Sequence, residues 1–137
     1  MAPVITSPDR YKKFLEKHHY NQVLKNGNRI DISGQGGWGD CTNGPSFQYK
    51  SLEEEIEQAF KNVEHVLSTV GASWKDVYSV TSYHVNFAET SDRVLSIIAA
   101  LFKKYIGERA PLWTSIGVTS LALKEMNVEI VVSAIKD

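Results

Sequence analysis

Val128, Ile130, Val132 and Ala134 stand at every second position of the closing segment, a period that places them on one face of a β-strand. The other face carries Glu129, Val131, Ser133 and Ile135, so neither side reads as a surface made for water. A longer period appears upstream. Leu52, Ile56, Ala59, Phe60, Val63, Val66, Leu67 and Val70 keep helical spacing behind a Ser51-Leu52-Glu53-Glu54 capping box, and Gly71 marks the stop. A second helix is predicted from a Ser91 cap to Gly107, with Leu95, Ile98, Leu101, Phe102 and Tyr105 turned inward. Tyr20 to Lys25 and Arg29 to Ser33 read as strands flanking Asn26-Gly27, a hairpin signal because both residues tolerate positive φ. Further strands are predicted over Val77 to Phe87, Leu112 to Thr119 and Asn127 to Ile135. Pro8 opens either a short helix through about Lys17 or an extended arm.

The order is ββαβαββ, an α+β arrangement in which two helices cover one face of a mixed sheet. The last strand is apolar on both sides, and the chain has no third layer to cover the second face. Self-association through that open face is the economical solution.

At 137 residues, with 42% hydrophobic positions, the chain suits one domain, residues 1–137, with one core. A net charge of −1, with lysines and arginines interspersed among acids, offers no basic field for phosphates, which argues against a nucleic-acid partner. No run approaches membrane-spanning length, and Met1-Ala2-Pro3-Val4-Ile5-Thr6 lacks the charged start and apolar core of a secretory signal. A soluble, cytoplasmic or mitochondrial protein is the expectation. The single Cys41 has no internal disulfide partner and reads as incidental or as a reactive thiol in a glycine-rich loop.

Several apparent motifs lose their context on inspection. Gly34-Gln35-Gly36-Gly37-Trp38-Gly39 matches G-x-G-x-x-G after a strand, but Asp40-Cys41-Thr42-Asn43-Gly44-Pro45 follows where a dinucleotide fold needs a helix to receive pyrophosphate. No Lys-Ser or Lys-Thr follows the glycines, so a P-loop fails as well. His18 and His19 would point apart in a strand and have no third ligand in reach, so no metal site is expected. His65 falls on the outer part of a helix, a solvated position. His84 lies mid-strand, where a hydrogen-bonded structural role competes with a pocket role. Glu129 is the strongest candidate for chemistry. A carboxylate on an apolar strand is costly to bury unless a partner or a water-filled cavity receives it, the alternative being an edge-strand residue that reaches solvent.

Tyr20, then Ile32-Ser33-Gly34-Gln35 with Gly34 fourteen residues on, the Glu-rich helix from Leu52, the strand anchored by Pro111 and the final Val128-Glu129-Ile130 together resemble the YjgF/RidA family. The match runs in order over nearly the whole chain. It implies a chorismate-mutase-like fold and a homotrimer whose sheets pack into a central barrel, with three clefts between neighbouring subunits. It also implies hydrolysis of reactive imines or enamines, such as 2-aminoacrylate and its imine tautomer, to a keto acid and ammonia without a cofactor. In that scheme Glu129 orients the water, the Gly34 amide contacts substrate, and Tyr20 stands at the cleft wall. Ser33, Trp38, His84, Trp113 and Thr114 complete the expected substrate-binding set, Trp38 either as a second aromatic wall or as a staple for the glycines.

The chain departs from the family after Pro111. The family pattern Pro-Ala-Arg-Ser, whose arginine clamps the substrate carboxylate, reads here Pro111-Leu112-Trp113-Thr114. An indole has one N–H and a broad apolar face and cannot replace a forked cationic donor. Arg109 would have to cross the Pro111 turn to substitute. Three readings follow in order: an imine or enamine hydrolase whose substrate lacks a clamped carboxylate, a small-metabolite-binding or chaperone-like trimer without turnover, and a ribonuclease or translation inhibitor, against which the slight acidity argues.

Overall fold

The structure, a computed structural model, describes residues 2–137. Its strands are β1 (Val4–Thr6), β2 (Val23–Asn26), β3 (Arg29–Ile32), β4 (Val77–Val85), β5 (Leu112–Val118) and β6 (Val128–Ile135); its helices are α1 (Lys12–His18), α2 (Leu52–Ser68) and α3 (Phe87–Tyr105). They form one sheet in the order β1-β2-β3-β6-β4-β5. All neighbours pair antiparallel except β4 with β5, which α3 joins as a crossover. The chain thus has the α+β fold that the periods predict, with two additions. α1 fulfils the helical alternative after Pro8, and β1 is a three-residue edge strand whose exposed side chains leave no period to read.

Local chemistry accounts for the element ends. Ser51 Oγ accepts from Glu54 N at 3.1 Å to start α2, and Gly71, at φ +81°, turns the chain after it. The hairpin is shifted by one residue from the expectation: Asn26 pairs with Arg29, so the turn residues are Gly27 and Asn28, and only Gly27 has positive φ. That is the pattern of a type II′ turn, which takes glycine at its first central position. The Ser91 cap is not used. α3 begins at Phe87, because Asn86 adopts φ +59° at the end of β4 and its carbonyl accepts from Glu89 and Thr90 amides, placing Ser91 inside the helix. The inward stripe shifts with it, and Val94 rather than Leu95 is buried beside Ile98, Leu101 and Phe102.

α2 lies across β6 and β3, and α3 packs on β5 and against α2. Between the helices and the sheet sits the core, including Val128, Ile130, Val132 and Ala134 of β6 and Ile56, Phe60, Val63 and Leu67 of α2. Trp74 stacks on Phe60 with ring centroids 4.4 Å apart and donates its indole N–H to the Phe60 carbonyl at 2.8 Å. The opposite face is uncovered. Tyr83 and Thr81 of β4 pair there with Glu129 and Val131 of β6, and with Ile116 and Thr114 of β5, while Leu112 is 72% exposed.

Candidate active site

Glu129 reaches the uncovered face from β6, and its strand neighbour brings Gly34 to it. After β3 the chain makes a reciprocal bridge, Gln35 N to Ile130 O at 2.8 Å and Ile130 N to Gln35 O at 2.9 Å, which lays Gly34 against the Glu129 side chain. A Cβ built on Gly34 would fall 2.0 Å from Glu129 Oε2, so the carboxylate occupies the space a side chain would need. Gly34→Ala is therefore expected to displace the carboxylate. Because Glu129 is a flexible side chain, the thermal midpoint should move little, whereas a reaction that Glu129 serves should slow by about 10²-fold, as misplacement of a reacting group does. Steady-state kinetics beside thermal melting checks both.

Around this pair lies a cavity of ≈ 370 Å³. Its polar lining is His18, Tyr20, Ser33 and Glu129, and its apolar lining is Phe14, Trp38, Ala122, Leu123 and Met126. Among the described residues nothing hydrogen-bonds to or pairs with the Glu129 carboxylate, and burial raises its pKa above the ordinary glutamate value. Glu55, a fully buried carboxylate where Glu129 is half-buried, differs. Its oxygens accept from Asn127 N at 2.7 Å and Asn127 Nδ2 at 2.9 Å, so it ties α2 to the start of β6. Tyr20 stands at the rim, its hydroxyl pKa raised first by burial and further by the nearby Glu129 charge.

A buried polar chain supports the cavity from beneath. Trp38 donates its indole N–H to the Tyr11 hydroxyl at 3.2 Å, Tyr11 donates to Gln35 Oε1 at 2.7 Å, and Gln35 Nε2 donates to Gln22 Oε1 at 2.7 Å. Trp38 also meets the Phe14 ring edge-on at 5.7 Å, so it is both a staple for the glycine loop and a wall of the cavity. Asn62 Nδ2 holds the same loop through the Gly36 and Trp38 carbonyls, each at 2.8 Å. The Ser33 hydroxyl is committed to the Asn21 carbonyl at 2.7 Å. Cys41 is buried and its thiol is pushed up to about 12 by burial, which keeps it protonated and unreactive at neutral pH.

Within one chain, the remaining expected site residues lie elsewhere. His84 and Trp113 face the helices, because they alternate with Tyr83 and Thr114, which occupy the uncovered face. His84 is 1% exposed, and burial lowers its pKa to about 4, so the ring is neutral. Trp113 borders a different cavity of ≈ 650 Å³. Thr114 is exposed on β5, an edge strand. His65 is half-buried rather than solvated, its ring 6.5 Å from that of Tyr11, and burial lowers its pKa. His18, Phe14, Leu123 and Met126 are cavity residues that the sequence patterns did not mark. They arrive from α1, whose last residue is His18 where a strand was expected, and from residues 119–127, and no local period records that meeting. Among the described residues no group of three or more His, Cys, Asp or Glu is placed to hold a metal ion, and no helix is long and apolar enough to cross a membrane.

Comparison with known proteins bears on the family and the fold. The chain is 27% identical over 123 residues to RutC family protein YjgH of Escherichia coli (strain K12), covering 89% of this chain and 87% of the relative. It is 30% identical over 115 residues to a 2-iminobutanoate/2-iminopropanoate deaminase of Dermatophagoides farinae, covering 81% and 80% of the two chains. A solved structure of protein YJGH superposes with a TM-score of 0.78 at 25% identity, covering 97% of this chain and 95% of the other. The family described as Endoribonuclease L-PSP matches residues 12–136. With nearly its whole length matched and the fold shared, the chain belongs to this family, the YjgF/RidA family.

Proposed function

We propose that the protein hydrolyses reactive imines or enamines in a cleft between subunits of a homotrimer, with Glu129 as general base and acid. The observation that carries this reading is the unpaired Glu129 carboxylate lying against Gly34 at the edge of a ≈ 370 Å³ cavity. A carboxylate whose pKa is raised by burial is a better proton acceptor than one in water and can return the proton within the same cycle. Water adds to the imine carbon while Glu129 takes its proton. Delivery of that proton to nitrogen gives a carbinolamine; Glu129 then takes the hydroxyl proton and passes it to the amine as the C–N bond breaks, giving the carbonyl compound and ammonia. An enamine first takes a proton on carbon to become the imine. The relative named as a deaminase supports the reaction class.

The homotrimer accounts for the split placement of the expected residues. The Glu129 and Trp113 cavities lie on different sides of one chain, so a cleft between subunits joins Trp113 of one protomer to Glu129 of the next. Trp113 stands where the family pattern has its carboxylate-binding arginine, and 2-iminopropanoate is accordingly expected to be a poor substrate. Trp113→Arg should improve catalysis on carboxylate-bearing imines by about 1.5–3 kcal/mol, the scale of a hydrogen bond to a charged group. Assay of both proteins on an imine generated in situ tests this; strong turnover by the unsubstituted chain with no gain from Arg would remove Trp113 from substrate selection. Binding of such a metabolite without turnover is the second reading, favoured by the indole in place of a charged clamp.

A further inference from the structure

The indole of Trp113 has a single polar atom, Nε1, which can only donate. It donates to Ser82 Oγ at 2.9 Å. The same hydroxyl oxygen lies 2.8 Å from His84 Nε2. A hydroxyl oxygen has two lone pairs and one proton, so Ser82 Oγ can accept from the indole and also hold the imidazole, whichever ring tautomer is present. Ser82 and His84 are 0% and 1% exposed, so solvent does not compete for these contacts. Phe87 stacks on the imidazole with centroids 4.7 Å apart, and Phe102 meets the indole edge-on at 5.2 Å. The indole is fixed in direction as well as in place. The cavity beside it is walled chiefly by Ala99, Phe102, Ala110 and Pro111, with Lys103 and Glu108 also in its lining.

We infer that Ser82, backed by His84, locks Trp113 with its only donor turned into the protein, so that the site selects an imine carrying an uncharged, apolar group where an arginine would hold a carboxylate. This rests on the proposed role of Trp113 in the hydrolytic cleft and adds to it the chemical class of the substrate. Position alone leaves an indole able to offer its N–H to a ligand; the bond to Ser82 removes that donor. Ser82 is a positioning residue, since it acts through Trp113.

The test compares Ser82→Ala and Ser82→Thr with the unsubstituted protein on two imines generated in situ, one bearing a carboxylate and one bearing an uncharged aromatic group. Releasing the indole N–H in Ser82→Ala should lower the ratio of kcat/KM for the uncharged over the carboxylate substrate by about fivefold, the scale of one neutral hydrogen bond. Ser82→Thr, which keeps the hydroxyl, should restore the ratio. An unchanged ratio in Ser82→Ala, or equal loss in both variants, overturns the proposal. Nitrogen-15 spectra read the lock directly: the Trp113 indole N–H, assigned by its loss in Trp113→Phe, should exchange slowly and do so faster in Ser82→Ala. Failure of the hydrolytic reading shows separately, as full activity in Glu129→Gln.

Discussion

Glu129→Gln is expected to keep the fold and the assembly while lowering imine hydrolysis by about 10²–10⁴-fold, the contribution typical of a positioned general base. The amide has the shape of the carboxyl group but cannot take a proton from water. The same variant should be more stable than the parent at neutral pH, and the sign follows from burial. Glu129 has a folded-state pKa raised above its unfolded value, so ionisation opposes folding once the pH passes the ordinary glutamate range and rises through the raised value. Below that range the acid is neutral in both states and the cost vanishes. The stability difference between variant and parent should therefore grow from acid to neutral pH, as thermal melts across a pH series would register. Full activity in the variant would assign Glu129 to structure, and a stability gap independent of pH would show that its burial is relieved by water.

Val131→Asp should convert the proposed trimer to monomer. Val131 pairs with Thr81 near the middle of the uncovered face, where Tyr83, Leu112 and Ile116 also present apolar surface. Each protomer of a barrel would bring one such aspartate to the shared interior, and burying an unpartnered charge costs several kcal/mol per ion. Light scattering at micromolar concentration should give three times the chain mass for the parent and the chain mass for the variant. A monomeric parent would remove both the barrel and the cleft between subunits. If the variant dissociates and loses activity with its cavity residues intact, the neighbour's contribution to the site is measured at the same time.

The parts of this architecture that were legible in the sequence are those with a local cause. The alternation in β6 and the apolar stripe of α2 follow from burial on one face, and Glu129 stood out because a carboxylate in such a strand needs a reason. Gly34 was legible only through the family resemblance; its physical reason, the carboxylate lying where a side chain would be, required the Gln35–Ile130 bridge to be seen. Ser91 misled because a serine before an apolar stripe is a good cap in isolation, while the left-handed Asn86 starts the helix earlier. His84 and Trp113 were grouped with Glu129 because adjacency in a fold does not reveal which side of a sheet a residue takes until the register is known. His18 was weighed only as a metal ligand, and nothing near it in sequence points to the cavity that it borders.

Strand order has a consequence for how such a site changes over time. β5 ends at the sheet edge and β6 starts inside it, so residues 119–127 must pass the end of β4, where Val85 N donates to Asn127 O at 3.0 Å. This crossing carries Ala122, Leu123 and Met126 into the wall of the Glu129 cavity. One side of the cavity is thus built from ladder-bound strand and the other from a connection that no strand pairing constrains. Insertions or substitutions in the connection can enlarge, narrow or re-line the chamber while the carboxylate stays where the sheet holds it. The lining of the cavity and the placement of its carboxylate are therefore separable traits in this chain, and libraries confined to residues 119–125 are the economical way to move one without the other.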